Sequence, residues 1–191
     1  MLAAAGMRFC PTCGGPVALR RPPGDTVDRH VCQRCGEIHY RNPRVVVGTV
    51  CSHRDRVLLC RRAIDPRRGF WTIPAGYLEV GESTEDGARR EAYEEARARL
   101  GELSLLAVYN VVRIEQVQVL YRAELASPEV AAGEETLELD LFRWAEIPWR
   151  ELAFPTVRWV LERAIALRGQ APPYPVAANP EGADPPASGA I

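Results

Sequence analysis

Two groups of residues in this 191-residue chain have the types and spacing for chemistry. The first is Cys10-Pro-Thr-Cys13 with Cys32-Gln-Arg-Cys35. A thiolate pair two residues apart forms a tight knuckle, and two knuckles offer four sulfurs at about 2.3 Å to one tetrahedral zinc ion. The 18 residues between Cys13 and Cys32 suit a ribbon-like loop between knuckles, and Gly14 and Gly36 let the backbone turn after each. Two disulfides are the alternative. Four ligands leave no open position, so such a zinc ion is structural. The second group is Glu91, Glu94 and Glu95. At i, i+3 and i+4 they share one helical face, where like charges repel. A hard divalent cation such as Mg²⁺, which binds carboxylate oxygens and is shared with phosphates, would offset that repulsion. A solvated acidic face among Arg89, Arg90, Arg97 and Arg99 reads equally well from the helix alone.

The elements that must position these groups fall into three zones. Residues 8–43 hold the paired cysteines and too few large apolar residues for a core of their own. Residues 44–168 carry the strand and helix patterning. Residues 169–191 hold six of the 16 prolines and read as a mobile tail. In the middle zone, 44–51 and 56–60 form an expected hairpin around His53-Arg54-Asp55. A short strand, 70–73, stops at Pro74, and a loop, 75–82, follows. Ser83, with Asp86 three residues on, resembles a capping box and opens a helix expected to reach Leu100, where Gly101 stops it. Strands are expected at 103–114, 117–125 and 137–144. Pro155 then opens a final amphipathic helix, 156–167. This order implies an α/β sandwich with a mixed sheet. Trp71 and Trp144 read as core, and Cys51 and Cys60 as buried apolar residues.

Composition sets limits. With 24 basic and 25 acidic residues the net charge is -1, giving no general attraction to nucleic acid or membrane. No apolar run approaches the roughly 20 residues of a membrane helix. The first ten residues lack the apolar segment of a signal peptide, so a reducing, cytoplasmic setting is expected for the six cysteines.

The segment from Gly76 to Glu82 and on to Arg90-Glu91-Ala92-Tyr93-Glu94-Glu95 has the form G-x5-E-x7-R-E-U-x-E-E, where U is aliphatic. It resembles the loop-helix-loop signature of the Nudix hydrolases. The family pattern then places a glycine where this chain has Arg97; a non-glycine residue in the left-handed region costs roughly 1–2 kcal/mol, so the helix is expected to run on. The resemblance implies a Nudix α/β/α sandwich preceded by a small zinc ribbon. It further implies that Glu91, Glu94 and Glu95, with the Ala75 carbonyl, hold catalytic Mg²⁺ or Mn²⁺, and that Glu82 pairs with Arg90 to brace the helix and orient Glu91. A general base is expected downstream, with Glu138 ahead of Glu134, Glu135 and Glu115.

With Asn42-Pro43 and Phe70-Trp71-Thr72-Ile73-Pro74-Ala75-Gly76-Tyr77, the chain resembles the ribbon-bearing group that includes NADH pyrophosphatases and plant FAD and ADP-ribose pyrophosphatases. The S-Q-P-W-P-F-P-x-S run of the NADH enzymes is missing, and Leu141-Phe142 and Glu146-Ile147-Pro148 fit the plant type. The implied reaction is metal-dependent hydrolysis of a nucleoside diphosphate linked to another moiety, releasing AMP. FAD or ADP-ribose is favoured, and NADH is next. Phe70 and Tyr77, flanking the loop, are the first aromatic residues for stacking on a substrate ring, ahead of Tyr109, Tyr121 and Phe142. A non-catalytic ADP-ribose sensor and a ribbon-led RNA-end processing protein acting on NAD-capped RNA are the alternatives. Homodimerisation is implied by the group and by no residue pattern here.

Overall fold

The computed structural model describes residues 6–180, which divide at Asn42/Pro43 into two compact units. In the first unit, β1 (Val17–Arg20), β2 (Arg29–Cys32) and β3 (Ile38–His39) form an antiparallel three-stranded sheet in that order. The cysteine knuckles flank it. All six cysteines of the chain are free, which removes the disulfide alternative.

The second unit is a mixed sheet between two helices. Its strands are β4 (Arg44–His53), β5 (Arg56–Arg62), β6 (Trp71–Thr72), β7 (Ala75–Tyr77), β8 (Ser104–Val111), β9 (Gln116–Glu124) and β10 (Thr136–Arg143). The order is β10-β5-β4-β9-β8, with β6 against β5 and β7 against β4. Only β4–β9 is parallel among these pairs. Helix α1 (Thr84–Ala96) covers one face and α2 (Pro155–Ala166) the other. Burial on both faces explains why β5 reads as an unbroken apolar run. Val57 and Leu59 join the α2-side core with Val160 and Leu161, while Leu58 and Cys60 join Ala92 and Ala96 of α1. Trp71, Trp144, Cys51 and Cys60 are buried, as their sequence context implies.

The β4–β5 hairpin closes through a two-residue turn with Arg54 in the left-handed region (φ 56°), and the strands pair directly only at its tip. Farther down they part, and residues 71–77 fill the gap, β6 on β5 and β7 on β4. The loop expected at 75–82 therefore begins as strand. This insertion is tight. A Cβ on Gly48 would lie 2.6 Å from that of Ala75, so only glycine lets β7 approach β4 here.

Helix α1 starts where expected: Ser83 Oγ accepts the Asp86 N–H at 3.1 Å. It stops earlier. The helix ends at Ala96, and Arg97 takes the left-handed conformation (φ 52°) that the family pattern gives to glycine, correcting the expected run to Gly101. The reason is tertiary. The chain between β9 and β10 docks on the helix end, with Ala131 N–H bonded to the Ala96 carbonyl (2.9 Å) and Gly133 N–H to the Glu95 carbonyl (3.0 Å). These bonds satisfy the terminal carbonyls a longer helix would have used.

Part of the stretch read as a mobile tail is attached. Ala177 pairs with the β8 edge through bonds to Leu106 and Val108, and the Asn179 side chain accepts from the Asn110 N–H and donates to its carbonyl, both at 2.7 Å. Residues 181–191 lie outside the described residues.

Replacing Arg97 by glycine removes left-handed strain of about 1–2 kcal/mol and adds unfolded-state entropy of about 0.4–1 kcal/mol. The expected result is a net gain of about 0.5–1 kcal/mol, read as a rise of roughly 1–4 °C in melting temperature. A lower melting temperature would show that the Arg97 side chain, stacked on Tyr93, contributes more than the strain.

Candidate active site and zinc centre

The four cysteine sulfurs lie within 4.8 Å of one another, with Cys10–Cys35 at 3.9 Å and Cys13–Cys32 at 3.4 Å. Sulfurs at about 2.3 Å from a tetrahedral zinc stand about 3.8 Å apart, so the set fits the ion. Backbone N–H groups face it: Gly15 toward Cys13, and Arg34 and Cys35 toward Cys32, each at 3.4 Å. The Cys35 N–H is the main cause lowering the Cys32 thiol pKa, so the knuckle favours the thiolate a metal needs. Among the described residues, no other set of three His, Cys, Asp or Glu ligand atoms gathers this closely.

The glutamate site is built around Arg90. Its guanidinium takes both oxygens of Glu82, Nε to Oε2 at 3.0 Å and a terminal nitrogen to Oε1 at 2.8 Å. It also reaches Glu91 at 2.7 Å, Glu94 at 2.9 Å and the Tyr77 carbonyl at 3.0 Å. Glu82 accepts the Glu79 N–H as well, at 2.8 Å. The Arg90 bonds, then that N–H, hold the Glu82 carboxyl down to about 2. Helix, preceding loop and β7 are therefore tied through one side chain.

Glu91 and Glu95 are buried, at 8% and 7% exposure, while Glu94 faces solvent. Glu91 lies against the backbone of Gly76, where a Cβ would fall 2.3 Å from its Oε1. Glu95 accepts the Ala75 N–H at 3.3 Å. Burial above all, then the neighbouring Glu91 charge, pushes the Glu95 carboxyl up to about 8. Burial also raises Glu91, against the pull of Arg90. Buried carboxylates that resist ionisation are a donor set suited to a hard cation, which would offset their desolvation.

The downstream glutamates lie in different surroundings. Glu138 is exposed and ion-paired with Arg61 at 3.0 Å. Glu135 instead stands close enough for its charge to raise both Glu91 and Glu95. Gly133 explains the placement, since a Cβ there would lie 1.7 Å from the Glu94 carbonyl oxygen. A glycine that lets a loop touch the helix end, followed at once by two glutamates, is the sequence signal for this residue.

Of the two favoured aromatic residues, Tyr77 is exposed at 48%. Phe70 is half-buried and already covered by the Arg67 guanidinium, 3.9 Å from the ring centroid. Tyr109 and Tyr121 are buried, and Phe142 packs edge-on to Trp71 in the core.

The model of the Nudix N-terminal zinc ribbon matches residues 8–41, and that of the NUDIX domain matches residues 41–161. The chain belongs to the Nudix hydrolase family. A crystal structure of a NUDIX hydrolase from Nitrosomonas europaea is 45% identical, covers 90% of this chain and 97% of its own, and superposes with a TM-score of 0.84. The NUDIX domain of Shewanella oneidensis NrtR, solved with ADP ribose, shares the fold at 22% identity and a TM-score of 0.59, over 66% of this chain and 89% of its own. The NAD-capped RNA hydrolase NudC of Salmonella heidelberg (strain SL476) is 26% identical over 161 residues, 84% of this chain and 61% of that protein. The chain thus spans about three-fifths of the length of the curated relatives it matches. Enzymes of the Nudix family use divalent metals.

Two outcomes test these centres. Without added divalent metal, the folded protein keeps the Glu95 proton up to about pH 8, whereas the unfolded chain releases it near the ordinary 4.5. The folded state binds the extra proton between those values, so stability falls as pH rises through them. Melting temperature should drop from pH 6 to pH 8.5, Mg²⁺ should restore more of it at the higher pH, and Glu95→Gln should flatten both trends. A flat profile in the unsubstituted protein contradicts the buried carboxylate. For the ribbon, a zinc chelator or Cys32→Ser should release one zinc per chain and unfold residues 8–41, read by proteolysis. Residues 41–161 should stay protected.

Proposed function

We propose that this protein hydrolyses the diphosphate bond of a nucleoside diphosphate linked to another moiety, with FAD or ADP-ribose preferred and NADH next, releasing AMP. The observation that carries this reading is the pair of buried carboxylates against the backbone of β7, Glu91 at Gly76 and bonded to Arg90, Glu95 at the Ala75 N–H. Glu91, Glu94 and Glu95, with the Ala75 carbonyl, would hold Mg²⁺ or Mn²⁺. When bound, such ions neutralise the diphosphate and make water a better nucleophile near neutral pH.

The chain's own residues do the rest. Arg90 and Glu82 tie α1 to the preceding loop and hold Glu91 and Glu94, which is orientation rather than proton transfer. Glu135, in place of Glu138, accepts the proton of the attacking water. The water oxygen bonds to one phosphorus, the bridging P–O bond breaks, and AMP and a second phosphate leave. Tyr77 offers a ring face to the planar group of the substrate, worth about 0.5–1.5 kcal/mol beyond burial. The four-cysteine zinc site holds the ribbon and takes no part in the chemistry.

A second reading has its own support: the curated relatives are named NAD-capped RNA hydrolase, and the same diphosphate chemistry serves a capped RNA end.

Incubation with FAD, ADP-ribose, NADH, NAD⁺, NAD-capped RNA and a nucleoside triphosphate, with and without Mg²⁺ or Mn²⁺, separates these readings by product. Metal-dependent AMP from FAD or ADP-ribose is expected. Preferential decapping moves the assignment to RNA ends, and tight binding of ADP-ribose without turnover moves it to a sensor. Glu95→Gln keeps an acceptor for the Ala75 N–H and removes the charge, so turnover should fall by about 100-fold or more with the circular dichroism spectrum unchanged. Activity near that of the unsubstituted protein refutes the site.

A further inference from the structure

Tyr77 is held at both ends. Its carbonyl accepts from Arg90, the hub of the glutamate site, at 3.0 Å. Its hydroxyl accepts from the Gln116 side-chain amide at 3.1 Å, and Gln116 in turn accepts from the Gln118 amide at 3.2 Å. β7 and β9 lie on opposite sides of β4, with Val46 paired to both Tyr77 and Gln118. The phenol therefore reaches across β4 to be caught on β9. Arg44, paired with Gln116 on that strand, places its guanidinium 5.0 Å from the centre of the Tyr77 ring and donates to the Ile114 carbonyl at 3.4 Å.

The glutamates and the tyrosine sit on opposite faces of the same narrow strand. Gly76 pairs with Val47, which packs under α1, so Gly76 meets Glu91 on the α1 side. Tyr77 is the next residue, and successive side chains of a strand point to opposite faces. β7 pairs on only one of its sides, so a substrate can lay its diphosphate on the α1 face and pass its ring round the strand edge.

The geometry points to Gln116 and Gln118 as positioning residues for substrate recognition, a hydrogen-bonded relay that fixes Tyr77 as a rigid platform for the nucleobase of the substrate. This inference rests on the hydrolase reading above and adds what sets its preference for the ring-bearing half. A surface tyrosine free to rotate would have to be ordered on binding, whereas one tied at carbonyl and hydroxyl is already in place. With one ring face covered by Arg44, a single face is left for stacking.

The test is a set of variants assayed with FAD, ADP-ribose and NADH. Tyr77→Phe and Gln116→Leu should each raise KM about three- to tenfold, the scale of one hydrogen bond, with kcat within about twofold. Both remove the same bond, so the double variant should be no worse than either single one. Gln118→Leu should have a smaller effect in the unsubstituted background and none once Gln116 is leucine. Calorimetric binding of AMP should weaken by the same factors. Additive losses, a fall in kcat at unchanged KM, or AMP affinity unaltered in Gln116→Leu each overturn the relay. If the unsubstituted protein turns over none of the three compounds, the hydrolase reading fails. The AMP measurement then decides the relay alone, and absence of AMP binding overturns it too.

Discussion

A single guanidinium holds the working half of this molecule together. Arg90 sits among Glu82, Glu91 and Glu94 and also donates to the Tyr77 backbone, so the loop, the helix and the inserted strand β7 share one tether. Bidentate pairing with Glu82 suits a planar fork, which an ammonium could not imitate. Three carboxylates around one cation leave negative charge in excess. Without the arginine, Glu82 would lose the partner that fixes its position, and the repulsion along α1 would stand unrelieved. The site is built to hold more positive charge than the chain supplies.

Around that tether, glycines let backbones meet. Gly48 admits Ala75, Gly76 admits Glu91, and Gly133 admits the end of α1. Each contact joins elements distant in sequence, and each would be blocked by a methyl group. The glutamate face of α1 depends on three absent side chains as much as on the carboxylates present.

Much of this was legible in the residues, for local reasons. The cysteine spacing, the Ser83 cap, the apolar runs of the hairpin and the glutamate periodicity are short-range patterns, and the structure shows each of these elements. What could not be read locally was decided by docking. Arg97 adopts a glycine-like conformation because Ala131 and Gly133 occupy the carbonyls ahead of it. Glu135 lies near enough to Glu91 and Glu95 for its charge to act on them, while Glu138, past the bulge in β10, is ion-paired with Arg61. Residues around Ala177 look like linker by composition, yet find bonds on an open strand.

That last feature bears on how the molecule meets its neighbours. An unpaired strand edge is a template for strand addition by another chain, and proteins with such edges aggregate unless something blunts them. Here the β8 edge is occupied by its own chain, with the amide of Asn179 imitating a peptide group against Asn110. The opposite edge, β10, carries Glu138, Asp140 and a bulge, the charges and irregularity that discourage pairing. Both borders of the described sheet therefore discourage intermolecular strand exchange, and strand addition at β8 would first require peeling away the segment that follows α2.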